Sequence, residues 1–340
     1  MMNFDRMITT IDAHTAGEPL RIITSGLPQI PGKTILEKRQ YMKENYDDLR
    51  KLMMLEPRGH SGMYGCILTP PVTEDGDLGV LFTHNEGLST MCGHGIIAVS
   101  KVLVETKMIQ IQDGENVIRI DSPAGRITAY VEVHNGKARK VKFKNVPSFV
   151  YKKDIQLRSK EGLEVKADIV YCGAFYIYVD ADQFDLEVDP KNIEALIKVG
   201  MELKYKAMKE MEIVHPLEKG LRGIYGTIFS GPIEKKGQQI ISKNVCIFAD
   251  GQVDRSPTGT GTAGRVALLH HKGILWKDMT LVNKSIINTV FEARIDRFTT
   301  VDQFQAVIPE VSGTAHIMGF NQLVLDPEDP LPNGFKIIGG

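Results

Sequence analysis

The sequence predicts a mixed α/β protein of two halves that repeat one plan, each a set of short strands around a single helix. Three observations predict it. Two glycine loops of one form, Met91-Cys92-Gly93-His94-Gly95 and Pro257-Thr258-Gly259-Thr260-Gly261-Thr262, each open an apolar run that suits a helix. The elements leading to the second loop replay those leading to the first. Short runs of alternating polarity, bounded by turn residues, fill most of the remaining chain. A doubly wound dinucleotide fold fits worse. Gly93-His94-Gly95 lacks that fingerprint's third glycine, and strands and helices do not alternate.

In chain order, Met7 to Asp12 and Leu20 to Thr24 read as strands around a polar loop, His14-Thr15-Ala16-Gly17-Glu18-Pro19. Residues 35–53 carry apolar side chains at the spacing of a surface helix. Glycine-rich Arg58 to Gly65 leads into strand-like Cys66-Ile67-Leu68. A strand over Leu78–Phe82 and a turn at His84–Gly87 bring the chain to the Cys92 loop and its helix, Ile96 to Val104. Strands are then expected at 110–112, 117–120, 127–133 and 138–143, the last two joined by an Asn135-Gly136 hairpin turn. The replay begins with a strand, a small-residue break and a strand over Asp168–Asp180, then a helix over 190–211. Strands at 225–229 and 242–248, the loop Asp250 to Pro257 and the Thr258 loop with its helix follow. Strands at 286–291, 304–309 and 315–325 close the chain.

At 340 residues the chain suits about two domains. A net charge of −1 gives no basic field for nucleic acid or an anionic membrane. The start lacks a secretory signal and no run reaches membrane-span length, so a cytoplasmic protein without membrane or nucleic-acid partners is expected. The four cysteines form no C-x-x-C pair, so no zinc knuckle or dithiol motif is indicated and no metal is expected. Cys66 and Cys246 sit in strand-like runs and read as packing.

Chemistry concentrates on the two loops. A glycine loop that opens a helix lets backbone N–H groups converge on an anion. Cys92 stands where that field would lower its pKa and favour the thiolate. A thiolate beside a carboxylate cradle could remove an amino acid's α-proton without metal or cofactor, since the developing charge flows into the carboxylate. The alternative is a buried thiol in a tight turn. Asp254 could hold a ring ammonium or simply form a loop turn. His94 could contact carboxylate or amine, whereas His14, His60 and His215 read as structural. A cysteine–histidine hydrolase lacks a nucleophile-elbow pattern.

Ile11–Pro19, Arg58–Gly65, Met91–Gly95, Ile224–Thr227 and Asp254–Thr262 together resemble the proline racemase family over nearly the whole chain. The resemblance implies a diaminopimelate-epimerase-like fold: two pseudo-symmetric halves, each a strand barrel around a central helix, with the site in the cleft between them. It places the halves at 1–127 plus 303–340 and at 128–302. It implies Cys92 as the proton acceptor, with Gly93, His94, Asp254, Gly259 and Thr260 around a hydroxyproline-type amino acid, and no cofactor. A homodimer is one assembly open to it. The family's racemases and epimerases carry cysteine on both loops. Here the second position is Thr258, whose hydroxyl is far less acidic than a thiol.

That departure matches the family's Cys/Thr subgroup, which resembles trans-3-hydroxy-L-proline dehydratase. The implied reaction removes the α-proton, expels the 3-hydroxyl as water and yields Δ1-pyrroline-2-carboxylate. In an L-proline ring, Hα and a 3-hydroxyl trans to the carboxylate share one face. The elimination is therefore syn, and the leaving group faces Cys92, not Thr258, so the newly formed Cys92 thiol, or His94 beside it, could protonate it. Weak racemisation or 2-epimerisation is the rival within the class, and a non-catalytic amino-acid-binding protein is the rival outside it.

Overall fold

The computed structural model describes residues 4–337. Strand pairing gives the two halves the same diagram. In the first, Arg6–Thr15 pairs antiparallel with Glu18–Ser25, which runs parallel to Tyr64–Thr69, itself antiparallel to Leu78–His84. Leu78–His84 takes the short strand Gly87–Ser89 antiparallel and Gly114–Ser122 parallel, and two hairpins then add Gly125–His134 and Lys137–Lys144. In the second half, Glu164–Tyr171 pairs antiparallel with Phe175–Asp180, then Ile224–Ser230 joins parallel and Gln239–Phe248 antiparallel. Gln239–Phe248 takes Gln252–Val253 antiparallel and Thr280–Lys284 parallel, followed by Val290–Val301 and Phe304–Gly313. Each parallel step is spanned by helix, as a crossover requires.

One further strand flanks each sheet. Ser148–Arg158 pairs with Glu164–Tyr171, and Ala315–Leu325 pairs with Arg6–Thr15. The chain's last strand thus returns to the first half. By pairing, strands 125–144 belong with the first sheet and 304–313 with the second. Lys137–Lys144 and Phe304–Gly313 also pair with each other, which joins the halves into one continuous sheet.

The two loop-opened helices, Gly93–Glu105 and Gly259–His271, each bury 11 of 13 residues. Helices buried on nearly every face belong inside a core, and both pack against strands. The surface helix expected over 35–53 is two helices, Ile35–Asn45 and Asp47–Met54, which break at Tyr46. Thr34 caps the first by accepting from the Glu37 N–H, and Asp47 and Asp48 favour the start of the second. Arg50 on the second donates to the carbonyls of His84 and Asn85, which pins the turn before the Cys92 loop. The Asn135-Gly136 hairpin forms, with φ of 52° and 67° at its two central residues.

Residues 110–112 and 286–289 are not strands, whereas Ser148–Arg158 and Thr280–Lys284 are. Among the described residues no helix is long and apolar enough to cross a membrane.

Candidate active site

The two buried helices point their N-termini at each other across one cleft. Their first residues meet backbone to backbone. A Cβ added to Gly93 would lie 2.5 Å from the Gly259 Cα, and the reverse holds at Gly259. Only glycine allows that approach, and neither residue needs a positive φ to make it.

Cys92, Gly93 and His94 form one wall of the cleft, and Thr258, Gly259 and Thr260 form the facing wall. Asp254 lies on the second half's side. The five side chains among these residues are no more than 5% exposed, so a ligand held there is cut off from bulk water. The structure therefore brings together every position singled out on the two loops. His14, His60 and His215 do not line the cleft. His14 stacks on His316, while the ring nitrogens of His60 and His215 accept from nearby backbone N–H groups.

Cys92 is the N-cap of its helix, and its Sγ accepts from the Gly95 N–H at 3.2 Å. The glycine at 95 is needed because a Cβ there would meet that sulfur at 2.9 Å and the Phe82 ring at 2.7 Å. The Nδ1 atom of His94 lies 3.2 Å from Sγ. The sequence-based expectation of a lowered thiol pKa is corrected here. Burial pushes the Cys92 thiol well up, the Asp254 carboxylate adds to the rise, and the Gly95 N–H offsets only part of it. Burial also lowers the His94 pKa, so thiol and imidazole form a neutral pair at neutral pH.

The facing loop is built differently. Thr258 has φ 61°, a costly conformation for a β-branched residue. Its hydroxyl does not cap the helix, and its buried Oγ1 has no partner among the described residues. The Thr260 hydroxyl bonds the Tyr176 hydroxyl at 2.7 Å. Asp254 accepts from the Ser256 N–H through Oδ1 at 2.8 Å, and Glu18 reaches in from the first half to accept from the Arg255 N–H. Glu18 is fully buried, and that burial followed by the nearby Asp254 charge raises its pKa well above the usual carboxylate range. The lining also includes Tyr64, Tyr225, Phe248 and Cys246. Cys246 thus borders the cleft as well as packing in its strand. Tyr64 and Tyr225 stood inside the sequence motifs, but their convergence depends on the tertiary fold.

No group of three or more metal-ligating side chains with suitable geometry occurs among the described residues.

The proline racemase family model matches residues 10–336. The trans-3-hydroxy-L-proline dehydratase of Bacillus thuringiensis subsp. konkukian is 51% identical over 336 residues, which cover 99% of this chain and 100% of that one. The 3-hydroxyproline 2-epimerase of Burkholderia multivorans is 46% identical over 337 residues, with 99% and 100% covered. The crystal structure of a hydroxyproline epimerase from Agrobacterium vitis with bound trans-4-hydroxy-L-proline superposes with a TM-score of 0.92 at 30% identity, covering 99% of this chain and 97% of that one. A Bacillus anthracis protein of the phenazine-biosynthesis PhzF family shares the fold alone, at a TM-score of 0.60 and 12% identity over 94% and 99% of the two chains.

Proposed function

The chain belongs to the proline racemase family, and we propose that within it the protein dehydrates trans-3-hydroxy-L-proline. One observation carries the choice of reaction: across the cleft from Cys92 stands Thr258, an alcohol, where inversion at Cα would need a second acidic group. The similarity to relatives named for that dehydration supports the same reading.

In this reading the substrate carboxylate lies between the two helix N-termini, against the backbone N–H groups of Gly93, His94, Gly259 and Thr260. Asp254 takes the ring ammonium. An ammonium there cancels the charge that helps hold the Cys92 thiol up, and His94 Nδ1 is placed to accept its proton. The thiolate removes Hα, and negative charge spreads into the cradled carboxylate. The 3-hydroxyl leaves from the same face, and the enamine tautomerises to Δ1-pyrroline-2-carboxylate. No step calls for a cofactor. We read the molecule as two half-domains that each supply one wall, acting in the cytoplasm, with a homodimer open to it.

Epimerisation is the second reading, favoured by the similarity to the Burkholderia multivorans relative. Proton NMR in D2O separates the two, with trans-3-hydroxy-L-proline, trans-4-hydroxy-L-proline and L-proline in parallel tubes. Conversion of the 3-hydroxy compound alone to a pyrroline is the expected result. Deuteration with inversion of the other two would overturn dehydration as the main activity, and no change in any tube would favour a binding protein.

A further inference from the structure

Loss of water from a 3-hydroxyproline requires a proton on the departing oxygen, because hydroxide is a poor leaving group. Its donor must stand on the Cys92 face of the substrate ring. Thr258 is on the other wall. The His94 Nδ1 lies 3.2 Å from Sγ, within reach of the sulfur's proton.

Among the described residues that line the cleft, Tyr64 is the hydroxyl contributed by the half that carries Cys92. It opens the strand Tyr64–Thr69 and is 3% exposed. Its ring meets the His94 ring edge to face, with centroids 4.9 Å apart. Its hydroxyl bonds Ser89 Oγ and lies 3.4 Å from the Tyr225 hydroxyl, so it is held by two fixed partners at the cleft wall. Burial raises the Tyr64 pKa well above its ordinary value, so the group is a neutral phenol with a proton to give. Tyr64 and Cys92 line the same cleft.

We propose that Tyr64 is a further catalytic residue: its hydroxyl protonates the departing 3-hydroxyl, and Cys92 returns the abstracted α-proton to it. The proposal rests on the dehydratase reading. The balance closes within the site. The Cα–H bond breaks and its proton forms an S–H bond on Cys92. The C3–O bond breaks as the phenol proton joins the oxygen, which leaves as water, and the electron pair from Cα–H becomes the ring double bond. Proton transfer from the Cys92 thiol to the Tyr64 phenolate then restores both groups. Water loss takes no net proton from solvent.

The test compares wild type with Tyr64→Phe on trans-3-hydroxy-L-proline and on trans-3-fluoro-L-proline, followed in D2O by proton and fluorine NMR. Fluoride leaves without prior protonation, so it bypasses the step assigned to Tyr64. The variant is expected to lose hydroxyl elimination by about 100-fold or more. It should also deuterate Cα with retained configuration, and release fluoride at close to the wild-type rate. Hydroxyl elimination within about threefold of wild type would overturn the proposal, as would equal losses on both substrates by a folded variant. Should Tyr64→Phe fail to fold, Ser89→Ala removes the hydroxyl's partner. It should slow hydroxyl loss more than fluoride loss, and equal slowing overturns the proposal. Wild type that forms no pyrroline refutes the dehydratase reading itself and needs no variant to show it.

Discussion

The contact between Gly93 and Gly259 sets a demanding test of the two-walled site. In Gly259→Ala the new Cβ would lie 2.5 Å from the Gly93 Cα and 2.7 Å from its carbonyl carbon, and both are backbone atoms that no rotamer change can move. Ordinary contact begins at 3.4 Å, so the loops must part by about 0.9 Å (3.4 − 2.5). That motion shifts the Cys92 wall relative to the Thr258 wall, which are the two surfaces that must grip one small substrate. A misplacement of about 1 Å costs on the order of 100-fold in rate, and overpacking of this kind costs about 1–3 kcal/mol in stability. Gly259→Ala should therefore fold, lose some stability in urea, and turn over trans-3-hydroxy-L-proline about 100-fold more slowly. Gly87→Ala is the control, since a Cβ there meets nothing within 4 Å. A folded Gly259→Ala with the control's turnover would refute the claim that the loops work at fixed separation.

Cys92→Ser should lose dehydration by orders of magnitude while still binding pyrrole-2-carboxylate, checked by calorimetry; retained turnover would remove Cys92 as the base. Thr258→Ala should keep most dehydratase turnover, because its hydroxyl lies on the face opposite the leaving group. Thr258→Cys should gain exchange and inversion at Cα, read by chiral chromatography of D2O reactions. A dead Thr258→Ala, or a folded Thr258→Cys with no inversion, would count against these assignments. Because burial holds the Cys92 thiol above its ordinary pKa, its alkylation by iodoacetamide should rise about tenfold per pH unit from neutral upward, and pyrrole-2-carboxylate should protect it. A rate that levels off near pH 7, measured by peptide mass at Cys92, would contradict the raised pKa.

Much of this was legible in the sequence because it is local. Cys92 and Thr258 announce themselves by their glycines, and both buried helices by largely apolar runs. Strand Ser148–Arg158 hid because its middle is Lys152-Lys153-Asp154, exposed residues that carry no alternation. In Val290–Val301 the inward residues Phe291, Ala293 and Ile295 alternate with charged ones, while the nearby apolar pair Ile286-Ile287 drew the expected strand too early. The thiol's pKa was misread for a different reason. A helix N-terminus can be recognised from spacing, but the cost of desolvation depends on walls contributed by Tyr64, Tyr225 and Phe248, from three separate strands. The partnerless hydroxyl and positive φ of Thr258 likewise come from packing and not from its loop's pattern.

The return of Ala315–Leu325 to the first half bears on how the chain is made. Strand Arg6–Thr15 is synthesised well before Ala315–Leu325, its partner on one side. The first half therefore leaves the exit tunnel with an open sheet edge and must keep it from pairing elsewhere during synthesis. The second half, closed on itself by Ser148–Arg158 against Phe304–Gly313, has no such wait. The sheet around Arg6–Thr15 is thus completed only once Ala315–Leu325 has been made.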